Sequence, residues 1–277
     1  MSKKIAIIGG KGQMGLMFAE AFKKKGCEVT LAGRQDNNIE AVKDADIVIV
    51  SVPIRETVKV IEEITPHIKE DALLTDFTSV KVNPMEAMKK AKCAVLGGHP
   101  LFDSSVGFEN QNFILCSVKE NKNSEWYRRF LKSLKLNVIE LSAEEHDRQM
   151  AVIQGLTHIS NISLGYALKK LGYDLDMGEK LSSPVYLLRL YTAGRILAQD
   201  EKLYSDIEME NPYSKETAKT YLEAVKEIES AVEKGSKKDF ERIFIESKHY
   251  FGKTGKKAMN VTSRVLNFMA KKDRKGF

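Results

Sequence analysis

Seven short apolar runs set the terms for the first half of this chain: IAIIG (5–9), CEVTLA (27–32), DIVIVSV (46–52), ALLTDF (72–77), CAVLGG (93–98), FILCSV (113–118) and NVIEL (137–141). They are rich in Val, Ile and Leu and do not alternate with polar residues, as strands buried on both faces read. Amphipathic stretches at 13–25, 55–67, 82–91 and 123–135 lie between them. Strand and helix in alternation predict a parallel sheet with right-handed crossovers and helices on both faces. The interval 99–112 holds Pro100 and Gly107, lacks a helical pattern and is expected to be a long loop. After residue 143 no run reads as a strand. Helical candidates follow at 143–172, 184–199, 203–210, 214–234, 237–251 and 254–272. Gly172, Gly235 and Gly252 stand where helices stop, and Pro184 and Pro212 where they start.

Composition narrows the class. The chain has 277 residues, 43% hydrophobic and 30% charged, which is ordinary for a globular protein and predicts two domains. No apolar run approaches the ~20 residues of a membrane span. The opening MSKKIAIIGG runs into glycines rather than a signal-peptide cleavage site. Cys27, Cys93 and Cys116 are too far apart for a disulfide framework or a metal spacing, so reduced thiols in a cytoplasmic protein are expected. The net charge of +6 is a property of the tail: residues 253–277 carry eight Lys or Arg against one acid, Asp273. A solvated basic terminus accounts for it, and no basic–aromatic interleaving supports nucleic-acid binding.

Three constellations carry chemistry. The first is Gly10-Lys11-Gly12-Gln13-Met14-Gly15, directly after an apolar strand and opening an amphipathic helix. In that context G-x-G-x-x-G is a dinucleotide signal: glycines let the backbone approach the pyrophosphate, which sits on free N–H groups at the helix N-terminus. It predicts a Rossmann-like domain. The second strand ends at Ala32-Gly33-Arg34, without the acid that commonly binds the ribose 2′-hydroxyl of NAD. Arg34 suits a 2′-phosphate, which favours NADP; nearby Asp36 keeps NAD open, and Arg34 also has the option of stacking on adenine.

The second constellation, Thr75–Lys81 with Gly97–Phe102, follows two apolar strands, where ligands of open parallel sheets bind. It puts Ser79, Lys81 and His99 at the cofactor edge. His99, expected on a loop, is a candidate general base, with a structural loop histidine as the alternative. The third lies on helices. In 149–170 the apolar residues Ile153, Leu156, Ile159, Ile162 and Tyr166 take the core spacing, while Gln154, His158, Asn161 and Gly165 form a polar, small face that reads as the wall of a wet cavity. Arg195, between Gly194 and Ile196-Leu197-Ala198, is expected to be buried and to need an anion: Asp200, Asp206 or a carboxylate substrate.

The motifs GGKGQMG (9–15), VIVSVPI (48–54), DFTSVK (76–81), GGHPLF (97–102), EEHDRQMAVIQGLTH (144–158), LSSPVYLLRL (181–190), GRILAQDEKLYSDI (194–207) and KHYFG (248–252) resemble the prephenate dehydrogenase family over nearly the whole length. The resemblance implies oxidative decarboxylation of prephenate to 4-hydroxyphenylpyruvate, on the route to tyrosine, with NAD or NADP as hydride acceptor. It implies a cofactor site that takes in Gly10, Gly12, Gln13, Met14, Gly15, Gly33, Arg34, Val52 and Pro53. His99 would accept the proton of the ring 4-hydroxyl and Ser79 would hydrogen-bond the same hydroxyl. Arg195 would bind a substrate carboxylate with Lys81 as a second anchor, and His158 and Gln154 would be further pocket residues. Leu101 and Asp103 depart from the usual Met and Gly of that loop. A start at the first strand and the lack of a βαβ pattern after residue 252 imply a monofunctional form without a chorismate mutase domain. The expectation is thus an α/β Rossmann-like domain over 1–143 and an all-helical domain over 144–277 that makes a homodimer. Arogenate dehydrogenase is the alternative enzyme, and a non-catalytic NADP-sensing protein the alternative of another class.

Overall fold

The computed structural model describes residues 2–272; the end of the basic tail, with Asp273, lies outside the described residues. Seven strands form one sheet in the order β2-β1-β3-β4-β5-β6-β7. They are β1 (Lys4–Ile8), β2 (Glu28–Ala32), β3 (Ile47–Val50), β4 (Leu73–Asp76), β5 (Ala94–Pro100), β6 (Asn112–Lys119) and β7 (Asn137–Glu140), each within two residues of an apolar run. The helices between them are α1 (Gln13–Lys24), α2 (Asn38–Val42), α3 (Ile54–Ile64), α4 (Val82–Met88) and α5 (Lys122–Ser133).

The runs do not alternate because both faces of the sheet are covered. Ile5, Ile7, Ile47, Ile49 and Leu73 pack with Phe18 and Phe22 of α1 and Tyr127 and Phe130 of α5. Their neighbours Ala6, Ile8, Val48, Val50 and Leu74 pack on the other side with Ile61 and Ile64 of α3 and Met85 and Met88 of α4. Burying one such side chain is worth about 1.5–3 kcal/mol.

One strand differs from expectation. β6 runs antiparallel to β5, pairing Gly98 with Leu115 and His99 with Ile114, while the other neighbours are parallel. The cause is the helix-free interval 99–112: a parallel return needs a crossover, and an antiparallel one needs only a loop.

The remaining helices are α6 (Ala143–Met150), α7 (Thr157–Lys170), α8 (Leu175–Leu181), α9 (Pro184–Leu197), α10 (Glu201–Glu210), α11 (Ser214–Glu233) and α12 (Lys237–Lys272). A π-helical stretch, Ala151–Leu156, joins α6 to α7. α12 breaks at Gly252, at φ 45°, ψ −120°, where a stop was expected.

The chain divides into two compact units, neither of them a single continuous stretch of sequence. The first unit holds the residues up to Ile153 and takes back Lys202–Ser214. This returning segment carries most of α10. Its Ile207 packs with Ile54 and Val80, and Asp206 lies 3.9 Å from Arg55. Asn211 Nδ2 donates to the Asp147 carbonyl (2.8 Å), and the Arg148 guanidinium sits 4.5 Å over the Tyr213 ring. The sheet unit is therefore completed by a piece of chain from the helical half.

The second unit is Gln154–Glu201 with the residues from Lys215 onward. Within it α7 packs on α9 at Gly165, where a Cβ would come 2.5 Å from Leu197 Cδ1. The polarity of α7 is the reverse of an ordinary amphipathic helix. His158 and Asn161 are buried, whereas Ile162 and Tyr166, read as core positions, are exposed in the single chain. Ile153, on the π-helical stretch of the first unit, is exposed as well.

Candidate active site and its family

The glycine loop joins β1 to α1. Gly9 has φ +76°, and a Cβ there would strike the Ser51 carbonyl. A Cβ on Gly15 would lie 2.6 Å from Gly10 Cα, so Gly15 lets α1 start tight against the loop. α1 has no side-chain cap and no acid in its first turn. Its free N–H groups and positive dipole end thus suit a pyrophosphate. Gln13 accepts a hydrogen bond from Ser104 Oγ (3.1 Å), Met14 leans into the core, and Val52 lies beside the loop, 2.9 Å from where a Gly9 Cβ would stand. Pro53 is the N-cap of α3. These residues fit a dinucleotide.

The end of β2 corrects a premise of the sequence reading. An acid does reach it. Asp36 Oδ2 accepts the Gly33 N–H (2.6 Å) and pairs with Lys11 Nζ (2.6 Å). The Lys11 hydrogen bond, then that of Gly33, holds its carboxyl below the usual range. Arg34 is exposed beside it. The spacing Gly33-Arg34-Gln35-Asp36 hides this, because the turn folds the carboxylate back by three residues.

His99 lies on β5 rather than on a loop, one residue from its end, and is 2% exposed. Its Nδ1 is 2.8 Å from Nε2 of His146 on α6, and His146 Nδ1 is 2.7 Å from Asp147 Oδ1. Asp147 also accepts the backbone N–H groups of Lys81 (Oδ1, 2.7 Å) and Val82 (Oδ2, 2.8 Å) at the start of α4. Burial, then the neighbouring His146 and Lys81, pushes His99 well below the ordinary imidazole value of 6.5. Burial also lowers His146, against the Asp147 hydrogen bond that raises it. Among the described residues His99 Nε2 has no hydrogen-bond partner. Sequence reasoning missed His146 and Asp147: an adjacent His-Asp pair on a helix looks like a polar face until β5 is placed against it.

Lys81 does not stand where a substrate anchor would. It is fully buried, and its ammonium contacts Asp76 Oδ2 (2.5 Å) and the Thr78 (2.7 Å) and Val80 (3.3 Å) carbonyls. Asp76 in turn accepts the Gly98 and Thr78 N–H groups (2.9 and 3.0 Å). The pair therefore pins the β4–α4 turn, with half-buried Ser79, to the strand that carries His99. Asp103 accepts the Ser105 N–H (2.7 Å), bracing its own loop.

In the second unit Arg195 is exposed rather than buried. Asp206, one expected partner, belongs to the first unit and faces Arg55. Gln154 is half-buried, and Asn161 donates to the Thr157 carbonyl (2.8 Å); among the described residues the Gln154 Oε1 and the buried Asn161 Oδ1 have no partner.

Comparison with known proteins gives the family. Residues 15–140 match the model of the prephenate dehydrogenase nucleotide-binding domain, and 142–246 that of the prephenate dehydrogenase dimerization domain. The T-protein of Enterobacter agglomerans is 34% identical, with 95% of this chain and 71% of that protein covered. The chain belongs to the prephenate dehydrogenase family. A probable arogenate/prephenate dehydrogenase of Methanocaldococcus jannaschii is 40% identical over 95% of this chain, which spans 64% of that protein's length. Among solved structures, a prephenate dehydrogenase from A. aeolicus, in complex with hydroxyphenyl propionate and NAD+, superposes with a TM-score of 0.71. It covers 94% of this chain and 99% of that one, at 19% identity. At that identity the likeness speaks for the fold. In this family the α/β unit described above is the nucleotide-binding domain. No helix among the described residues is long and apolar enough to cross a membrane.

Proposed function

We propose that this chain is a dehydrogenase that converts prephenate to 4-hydroxyphenylpyruvate on the route to tyrosine. The observation that carries the reading is His99: buried, held neutral, fixed through Nδ1 and with Nε2 unengaged. A neutral imidazole with one free nitrogen is a general base. The bound nicotinamide supplies the hydride acceptor for C4 of the ring. His99 Nε2 takes the proton of the 4-hydroxyl, and Ser79 hydrogen-bonds that hydroxyl. The ring carboxylate leaves as CO2, its electron pair completes the aromatic ring as a phenolate, and protonated His99 Nε2 returns the proton to the ring oxygen to give the 4-hydroxyl of the product. The substrate is a dicarboxylate, so a fixed cation is required, and Arg195 is proposed to bind one carboxylate, with His158 and Gln154 as further substrate-binding residues. The test is reduced-nicotinamide absorbance over a matrix of prephenate and arogenate against NAD and NADP. No turnover in any cell of the matrix overturns the reading.

One observation favours arogenate as a second substrate reading. The unpartnered oxygens of Gln154 and Asn161 are acceptors, which suit the ammonium of arogenate better than the ketone of prephenate.

For the cofactor, the Asp36 carboxylate at the end of β2 supports NAD, because a 2′-hydroxyl can donate to it while a 2′-phosphate is repelled. NADP remains the second reading, carried by Arg34. We also propose a homodimer, supported by the dimerization-domain match and by exposed Tyr166, Leu171 and Leu181 on the helical unit.

A further inference from the structure

We propose that His146, oriented by Asp147, is a positioning residue that fixes the tautomer of His99. The proposal rests on the dehydrogenase reading for its kinetic consequence, but not for its structural one.

Four hydrogen bonds link the start of α4 to His99 through Asp147 and His146. The Asp147 carboxylate receives two backbone N–H groups, those of Lys81 and Val82, so it can serve His146 only as an acceptor. His146 Nδ1, 2.7 Å away, must therefore carry a proton. Burial keeps His146 neutral, so it has one proton only, and its Nε2 is a bare acceptor. His99 Nδ1 faces that acceptor at 2.8 Å and must donate to it. A neutral His99 then has its lone pair on Nε2, the atom proposed to receive the substrate proton. Each bond in the chain admits one direction, and the direction is set at the α4 N-terminus, far from the reacting atom. Once His99 is protonated, its Nδ1–H still points at His146 Nε2, so the imidazolium forms without rearranging either ring. Asn211 Nδ2, donating to the Asp147 carbonyl at 2.8 Å, holds α6 in this register.

Without His146 the buried ring would be free to carry its proton on Nε2, and that form is not a base toward substrate. The experiment uses the whole protein labelled with 15N-histidine, comparing wild type, His146→Leu and His146→Gln. Imidazole nitrogen shifts should report His99 as the Nδ1–H tautomer in wild type. His146→Leu should admit the Nε2–H form. His146→Gln, whose Oε1 can accept from Nδ1, should restore the wild-type form. In steady state with prephenate, His146→Leu should lower kcat on the order of 10²-fold with KM nearly unchanged, and His146→Gln should recover much of it. A wild-type His99 carrying its proton on Nε2 overturns the proposal, as does a His146→Leu protein with the wild-type tautomer. If His146→Leu fails to fold, the wild-type tautomer and the kcat of His146→Gln decide. Absence of turnover in wild type would sink the dehydrogenase reading while leaving the tautomer measurement intact.

Discussion

Asp36 and His99 are held by hydrogen bonds that could not be read from spacing alone, and both give sharp tests. Replacing His99 with Asn should leave nucleotide binding near wild type and lower kcat about 10²–10⁴-fold, the usual worth of a positioned proton transfer. Turnover close to wild type in His99→Asn would remove it from the mechanism. At the end of β2, Asp36→Asn should weaken NAD and improve NADP, and Arg34→Ala should weaken NADP with little effect on NAD. Equal losses of both cofactors in Arg34→Ala would identify an adenine-stacking role instead. For Arg195, exposed on its own unit, Arg195→Gln should raise KM for the substrate more than it lowers kcat. Lost stability with an unchanged KM would reject the anchor.

Between elements, charge burial decides the outcome. Lys81 and Asp76 tie the β4–α4 turn to β5 as a fully buried pair. Lys81→Met leaves a buried carboxylate uncompensated and should cost about 3–5 kcal/mol in urea denaturation. Normal stability with a raised substrate KM would return Lys81 to the substrate site. The His99–His146 contact between β5 and α6 makes stability depend on pH. Both histidines are held below their ordinary value of 6.5, so the unfolded chain binds more protons than the folded one at mildly acid pH. Their contribution is complete above pH 6.5 and is lost as pH falls through the depressed folded values. The chain should therefore take up protons on unfolding just below pH 6.5, and His99→Asn should flatten that slope. A slope unchanged in the variant would contradict it. The strands were legible because residues buried on two faces leave uninterrupted apolar runs. The direction of β6 was not, since an antiparallel strand covered on both faces reads the same; only the missing helix in 99–112 marked it. In the sequence Gly97, Gly98 and Pro100 read as breakers that put His99 on a loop, yet pairing with β6 makes them strand. The inverted polarity of α7 escaped for a related reason: spacing identifies the stripes, but not which stripe the rest of the fold covers.

For the whole molecule, the helical unit leaves several large apolar side chains exposed. Tyr166 is 57% exposed and Leu171 and Leu181 are 78% exposed. Light scattering coupled to gel filtration should give twice the chain mass, and a monomer at micromolar concentration would overturn the dimer. The return of Lys202–Ser214 to the sheet unit bears on a different event, the order in which the protein is made. A nascent chain emerges from its N-terminus, and domains generally fold as units, the N-terminal one first. Here the sheet can assemble once β7 is out, but Ile207 and Asn211 are still to be synthesised. The turn that bears Val80 and the helix that bears His146 must wait for them. The nucleotide-binding half is thus finished only after α7 and α9 have emerged, so neither half completes its fold before the other has begun.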